Sequence, residues 1–128
     1  MREILFRGKH MHVCPENKHL DGTWVEGYLA DENHINDGKC EFLIDPETVG
    51  QYTGFTDKKG QKIFEGDIVK GRRDYELYEI VYDGEEEGGW SLGIQHEPVY
   101  SIGGANSKQY KIIGNVFDNP ELLEESNE

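Results

Sequence analysis

The sequence predicts a mainly β domain, with some α+β character from one short C-terminal helix. Three observations predict it. Short runs of β-branched and aromatic residues recur along the 128-residue chain, the composition that pleated strands favour. Glycine stands where such runs should turn, as hairpins require. Apolar residues follow a period of two, while the 3.6-residue period of an amphipathic helix is almost absent. A small barrel suits such strands, because closure removes exposed edges.

Residues 2–8 put Ile4 and Phe6 on one side of a first strand. Residues 10–21 are polar and irregular. Over 23–29, Trp24, Glu26 and Tyr28 alternate against Val25, Gly27 and Leu29, which reads as a strand. Residues 31–38 carry turn chemistry throughout, and 40–44 resume strand character. Residues 45–50 predict a tight turn or one helical turn, with Pro46 in the first helical position and Asp45 as its cap. Residues 56–60 predict a hairpin tip with Gly60 supplying the positive φ. Glu65, Gly66 and Asp67 then turn the chain into Ile68 and Val69.

Over 76–82, Tyr78, Ile80 and Tyr82 alternate against Leu77 and Val81, so both faces have apolar content. Residues 83–89 read as an acidic, glycine-rich turn. Trp90, Leu92, Ile94 and His96 share one face, opposite Ser91, Gly93 and Gln95. Residues 100–108, with Gly103 and Gly104, predict a mobile loop. Residues 110–117 form the last strand, with Gly114 at a bulge or close approach. Asn119, Pro120 and Glu121 give a cap, a first-position proline and a first-turn acid, so a short helix should dock Leu122 and Leu123 on the sheet. Residues 124–128 should fray.

The length fits one domain, with a β-rich portion over 1–50, a barrel-like portion over 51–118, and a helix and acidic tail over 119–128. Mean hydropathy is -0.76, and no run approaches the roughly 20 apolar residues of a membrane span. The first residues lack the apolar stretch of a signal peptide, which predicts a cytoplasmic protein. Cys14 and Cys40 are then expected to be free thiols. The net charge of -13 keeps the chain soluble, disfavours general binding to a phosphate backbone and steers basic partners. It is unevenly spread. Residues 74–87 hold acids and no base, and so does the tail, whereas Lys58, Lys59, Lys62, Lys70, Arg72 and Arg73 outnumber Glu65 and Asp67.

His10, His12 and Cys14 would share one face of an extended segment and carry zinc-type donors. A fourth ligand would have to come from His19, His34 or Cys40, so no metal site is predicted. Asp57, Glu65 and Asp67 sit beside glycines, where acids fix turns through backbone hydrogen bonds; catalysis by them, or by Asp45 with Glu47, is not expected. No serine triad, phosphate loop or dinucleotide fingerprint is present, and no cofactor is predicted. The aromatics Trp24, Tyr28, Tyr52, Phe55, Phe64, Tyr78, Tyr82 and Trp90 read first as core and cross-strand pairs. They would also suit a groove for an extended peptide.

The blocks Arg2-Glu3-Ile4, Phe6-Arg7-Gly8, Trp24, Gly27-Tyr28-Leu29, the run from Asp45 to Gly54, Asp57-Lys58-Lys59-Gly60, the run from Ile63 to Ile68 and the run from Ile113 to Leu123 resemble, in order, the YopX family of phage and prophage proteins. Phe55 and Phe64 stand where leucine and tyrosine are expected, so a phenol has no counterpart at Phe64. Residues 10–21 and 72–108 carry little of the pattern. The resemblance implies a cytosolic, phage-derived, β-rich protein whose later part is similar to an SH3-type barrel. It implies no activity. Gly50, Tyr52, Thr53, Gly54, Asp57, Gly60, Glu65, Gly66 and Asp67 are its motif positions and read as structural.

The expected function is therefore that of a noncatalytic accessory protein, in a bacterial host cell, that binds a host or phage protein. Its candidate partner surface comprises Glu85, Glu86, Glu87, Trp90, Lys70, Arg72 and Arg73. In one form, residues 85–87 and the acidic tail would mimic nucleic acid on a basic partner. The alternative is a small-barrel nucleic-acid module using the lysines and arginines of 58–73. Strand edges would also permit a homo-oligomer.

Overall fold

The computed structural model describes residues 5–11, 22–73, 76–82, 89–103 and 106–126. The chain divides into two compact units, Met1–Tyr52 and Thr53–Glu128. The β class is as the sequence predicts: ten strands and one short helix are described, and every described strand pairing is antiparallel.

In the first unit, β1 (Phe6–His10) pairs with β2 (Trp24–Asp31), and β2 pairs with β3 (His34–Asn36). In turn β3 pairs with β4 (Glu41–Thr56), whose earlier part returns to pair with β1. These pairings close a ring of four strands around the fully buried Ile35 and Ile44. Closure thus occurs in the earlier part of the chain, where it relieves β1 of an open edge.

Two readings of this unit are corrected. Residues 31–38 are not one turn. Turn chemistry operates on both sides of β3: Asn33 N–H donates to Asp31 Oδ1 at 2.8 Å, and Gly38 N–H donates to Asn36 Oδ1 at 2.8 Å. Ile35 between them pairs with Phe42 and fills the ring. Residues 45–50 form neither a tight turn nor a helical turn; they lie inside β4. The capping chemistry predicted there instead builds an irregularity in the strand. Glu47 N–H donates to Asp45 Oδ1 at 3.0 Å, and Thr48 Oγ1 donates to the Asp45 carbonyl at 2.7 Å. Thr48 Oγ1 also accepts from Lys9 N–H at 2.8 Å. Pairing then jumps from Arg7↔Gly50 to Lys9↔Asp45.

In the second unit, the end of β4 turns through residues 57–61 into β5 (Lys62–Phe64). A five-stranded sheet follows in the order β10-β6-β7-β8-β9. Its members are β6 (Asp67–Lys70), β7 (Leu77–Tyr82), β8 (Trp90–Ile94), β9 (Glu97–Ser101) and β10 (Lys111–Asn115). The core comprises Ile63, Val69, Ile80, Trp90, Leu92 and Ile102, with Phe55, Tyr78, Tyr110 and Ile112 packed against it. Among the described residues this order is open, with β9 and β10 at its edges, and no pairing closes it into a barrel. The predicted bulge at Gly114 is present: the register shifts between Ile112 and Gly114. The predicted C-terminal helix is α1 (Glu121–Ser126), which lies against β7.

The strand β9 replaces the start of the loop expected at 100–108. Ile94 pairs with Glu97, so Gln95 and His96 form a two-residue hairpin loop. Both have positive φ, 53° and 68°, the backbone signs of a type I′ turn. Asparagine or glycine normally announces that turn; neither is present. His96 accordingly leaves the face that Trp90 and Leu92 occupy. Gln95→Asn is expected to stabilise the protein by about 0.5–1 kcal/mol, because asparagine tolerates the left-handed region better. A raised urea midpoint at unchanged slope would show it.

Candidate functional site

The central motif folds as a set of fasteners in the second unit. Asp57 is fully buried at the mouth of the β4–β5 turn. Its Oδ1 accepts Lys59 N–H and Gln61 N–H, each at 2.9 Å, and its Oδ2 accepts Ile112 N–H of β10 at 3.0 Å. Burial pushes the carboxyl up. The N–H groups of Ile112, Gln61 and Lys59 outweigh burial and hold it below its ordinary value of 3.8. Asp67 is also buried, and its Oδ2 accepts Phe64 N–H at 2.8 Å across the next turn. Thr53 Oγ1 donates to the Ile63 carbonyl at 2.9 Å. Gly54, Gly60 and Gly66 all have positive φ. Glu65 is half-buried within the turn that Gly66 completes. In the first unit, Gly50 pairs with Arg7, and Tyr52 N–H donates to the Leu5 carbonyl at 2.7 Å.

Asp57 also positions charge. Lys58 N–H donates to the Tyr110 carbonyl at 2.9 Å, which fastens the turn beside the start of β10. Lys111 there is the cross-strand partner of Lys70. Four lysines therefore meet at one end of the sheet: Lys58, Lys59, Lys70 and Lys111. The Lys111 ammonium is held below its ordinary value, chiefly by the charge of Lys59, with Lys58 and Lys70 adding to it. Arg72 and Arg73 are exposed beyond β6, and Arg73 Nε lies 3.9 Å from Glu76 Oε1. Sequence reasoning found Lys58, Lys59 and Lys70 but missed Lys111, which lies 41 positions beyond Lys70 in the sequence. Only strand register brings it in.

The other candidate residues distribute differently. Trp90 is only 4 % exposed and belongs to the core, so it is withdrawn from the partner surface. Its ring packs edge-on against exposed Tyr82 at 5.3 Å. Glu85, Glu86 and Glu87 lie outside the described residues, as do His12, Cys14 and His19. His10 is buried and edge-on to Phe42 at 5.6 Å. His34 Nδ1 lies 2.8 Å from Asp31 Oδ1, and Cys40 is exposed. Among the described residues, no three His, Cys, Asp or Glu side chains are grouped as metal ligands. A cleft of about 300 Å³ in the first unit is lined by His10, Trp24, Phe42, Glu26 and Asp37, among others. The Arg7 guanidinium lies 4.7 Å from the Trp24 ring centroid.

One acid is placed against burial. Glu79 on β7 is 8 % exposed, and His96 Nδ1 lies 2.8 Å from its Oε1. Burial raises the carboxyl above 4.5, and the charge and hydrogen bond of His96 offset only part of that. A raised folded value means stability that is fully present below the unfolded value and lost as pH rises through the folded one. Glu79→Gln is therefore expected to flatten the fall in stability as pH rises above 4.5, read from unfolding midpoints at a series of pH values.

A model of the YopX protein family matches residues 7–124. The chain belongs to the YopX family. Among solved structures, this YopX chain is similar to the crystal structure of protein EF1440 from Enterococcus faecalis. The two share 22% identity, with a TM-score of 0.56, over 96% of this chain and 99% of that one. That likeness shows the fold alone. No curated protein matches this YopX chain. No helix among its described residues is long and apolar enough to cross a membrane.

Proposed function

We propose that this YopX protein is a noncatalytic phage or prophage accessory protein that acts by binding a host or phage protein. The observation that carries the proposal is β9. It lies at the edge of the second unit's sheet, all five of its residues are exposed, and it carries Val99 and Tyr100 at 46% and 57% exposure. Ile94, on the strand beside it, is 43% exposed. An edge of this kind accepts an added strand, whose main-chain hydrogen bonds give affinity and whose side chains give specificity. The motif acids support a noncatalytic role. Asp57 and Asp67 are held by backbone N–H groups, so their carboxylates work as fasteners, whereas acid–base chemistry needs a carboxyl that can reach a substrate.

The test is affinity capture from a bacterial lysate with the wild-type protein and with Val99→Asp, each checked for folding by circular dichroism. The expected result is one protein enriched by the wild type and absent from the variant's eluate. Identical eluates would reject strand addition at β9.

A further inference from the structure

We propose that the lysine end of the second unit is a binding site for single-stranded nucleic acid, with Lys58, Lys59, Lys70 and Lys111 on phosphates and Tyr100 as a base-stacking platform. This site shares Tyr100 with the β9 edge but does not require strand addition there.

Charge segregation is the first support. Every lysine and arginine after Tyr52 falls within 58–73 or 108–111. Those segments converge. Antiparallel pairing puts the C-terminal end of β6 beside the N-terminal end of β10, through Lys70↔Lys111. The Asp57 clamp brings the β4–β5 turn to the same place through Ile112. At the far end of β6 and β10 stand the Gly66 turn and Asp118. The chain as a whole is strongly anionic, so like charges gathered here mark a local exception. Glu76 also stands at this end, its Oε1 3.9 Å from Arg73 Nε, whereas acids beyond a Debye length of about 8 Å are screened at physiological salt.

The second support is aromatic. Tyr100 meets Tyr78 edge-on at 5.8 Å, and Tyr78 meets Tyr110 at 6.2 Å. Tyr110 immediately precedes Lys111, and Tyr78 pairs with Val69 next to Lys70. The row of tyrosines thus starts at the lysine end and finishes in a ring that is mostly exposed. Phosphate-binding cations beside an exposed aromatic face are the combination that holds single strands, with stacking tolerant of base identity. An acidic peptide would use the lysines but has no need of the tyrosine, so the tyrosine row favours nucleic acid.

The probe is a fluorescein-labelled oligothymidylate of about 12 nucleotides, followed by anisotropy with the full chain at several salt concentrations. Saturable binding that weakens with salt is expected. Combining Lys58→Glu, Lys59→Glu and Lys111→Glu should weaken it at least tenfold and make the slope of log K against log salt shallower by about 2. Tyr100→Ala should weaken it about tenfold and leave that slope unchanged. Poly-glutamate of equal charge should compete poorly. Absence of binding at low salt, an unaffected Tyr100→Ala variant, or poly-glutamate binding as tightly as the oligonucleotide would each overturn the proposal.

Discussion

Asp57→Ala is expected to lower the free energy of unfolding by about 3–5 kcal/mol, a large share of the roughly 5–15 kcal/mol that holds a domain folded. The carboxylate accepts three backbone N–H groups, from Lys59, Gln61 and Ile112. Alanine leaves all three part-buried donors without the acceptor that the buried Asp57 provides. The loss spans two elements, because Oδ1 shapes the β4–β5 turn while Oδ2 holds β10. Asp57→Asn should fall between wild type and alanine, since it retains a single carbonyl oxygen. Urea unfolding checks both. A loss under about 1 kcal/mol for alanine would mean that water reaches these N–H groups. The acid limb gives a second reading. The folded carboxyl is held below 3.8, so its stabilisation is present above that value and fades as pH falls through the folded one. In Asp57→Ala that part of acid unfolding should disappear.

Gly27→Ala should cost about 3 kcal/mol or more, an unusually large effect for one added methyl group. A Cβ on Gly27 would stand 2.1 Å from the Asn36 carbonyl oxygen and 2.7 Å from its carbon. Both are backbone atoms of the neighbouring strand, so no rotamer change relieves the clash. The Tyr28↔Asn36 pairing must open, and the closed ring of the first unit opens with it. Gly60→Ala makes the control. Gly60 has a φ of +82° with open space around it, so its substitution carries only the left-handed penalty of roughly 1–2 kcal/mol. Equal losses at the two sites would contradict the packing argument.

The strands that could be read from sequence are those with sustained alternation, β2, β7 and β8, those bounded by glycine turns, β5 and β6, and the first and last strands, β1 and β10. Three-residue β3 was hidden because a single isoleucine between turn-forming acids and amides has no period. Residues 45–50 misled because a proline, a capping aspartate and a threonine serve a bulge as well as they serve a helix start. β9 was hidden by a hairpin loop made from glutamine and histidine. For the candidate site, the cations of 58–73 were visible as a run, yet their gathering was not. Lys111 joins through register and Tyr100 through edge contacts, and neither is written in local sequence. Trp90 was read both as core and as partner surface, and the core reading is the one that holds.

The composition of β9 bears on how the protein stays in solution. An exposed strand invites copies of the same chain to stack into fibres, which requires long, regular, donor-complete edges. β9 has only five residues. Pro98 offers no N–H, Glu97 places a charge at its start, and the register shift opposite Leu92 and Gly93 leaves Val99 as an extra residue. A partner strand shaped to that interruption can pair with it, whereas an identical strand meets a missing donor and a repelling carboxylate. The same five residues that leave the sheet open therefore make it a poor seed for aggregation.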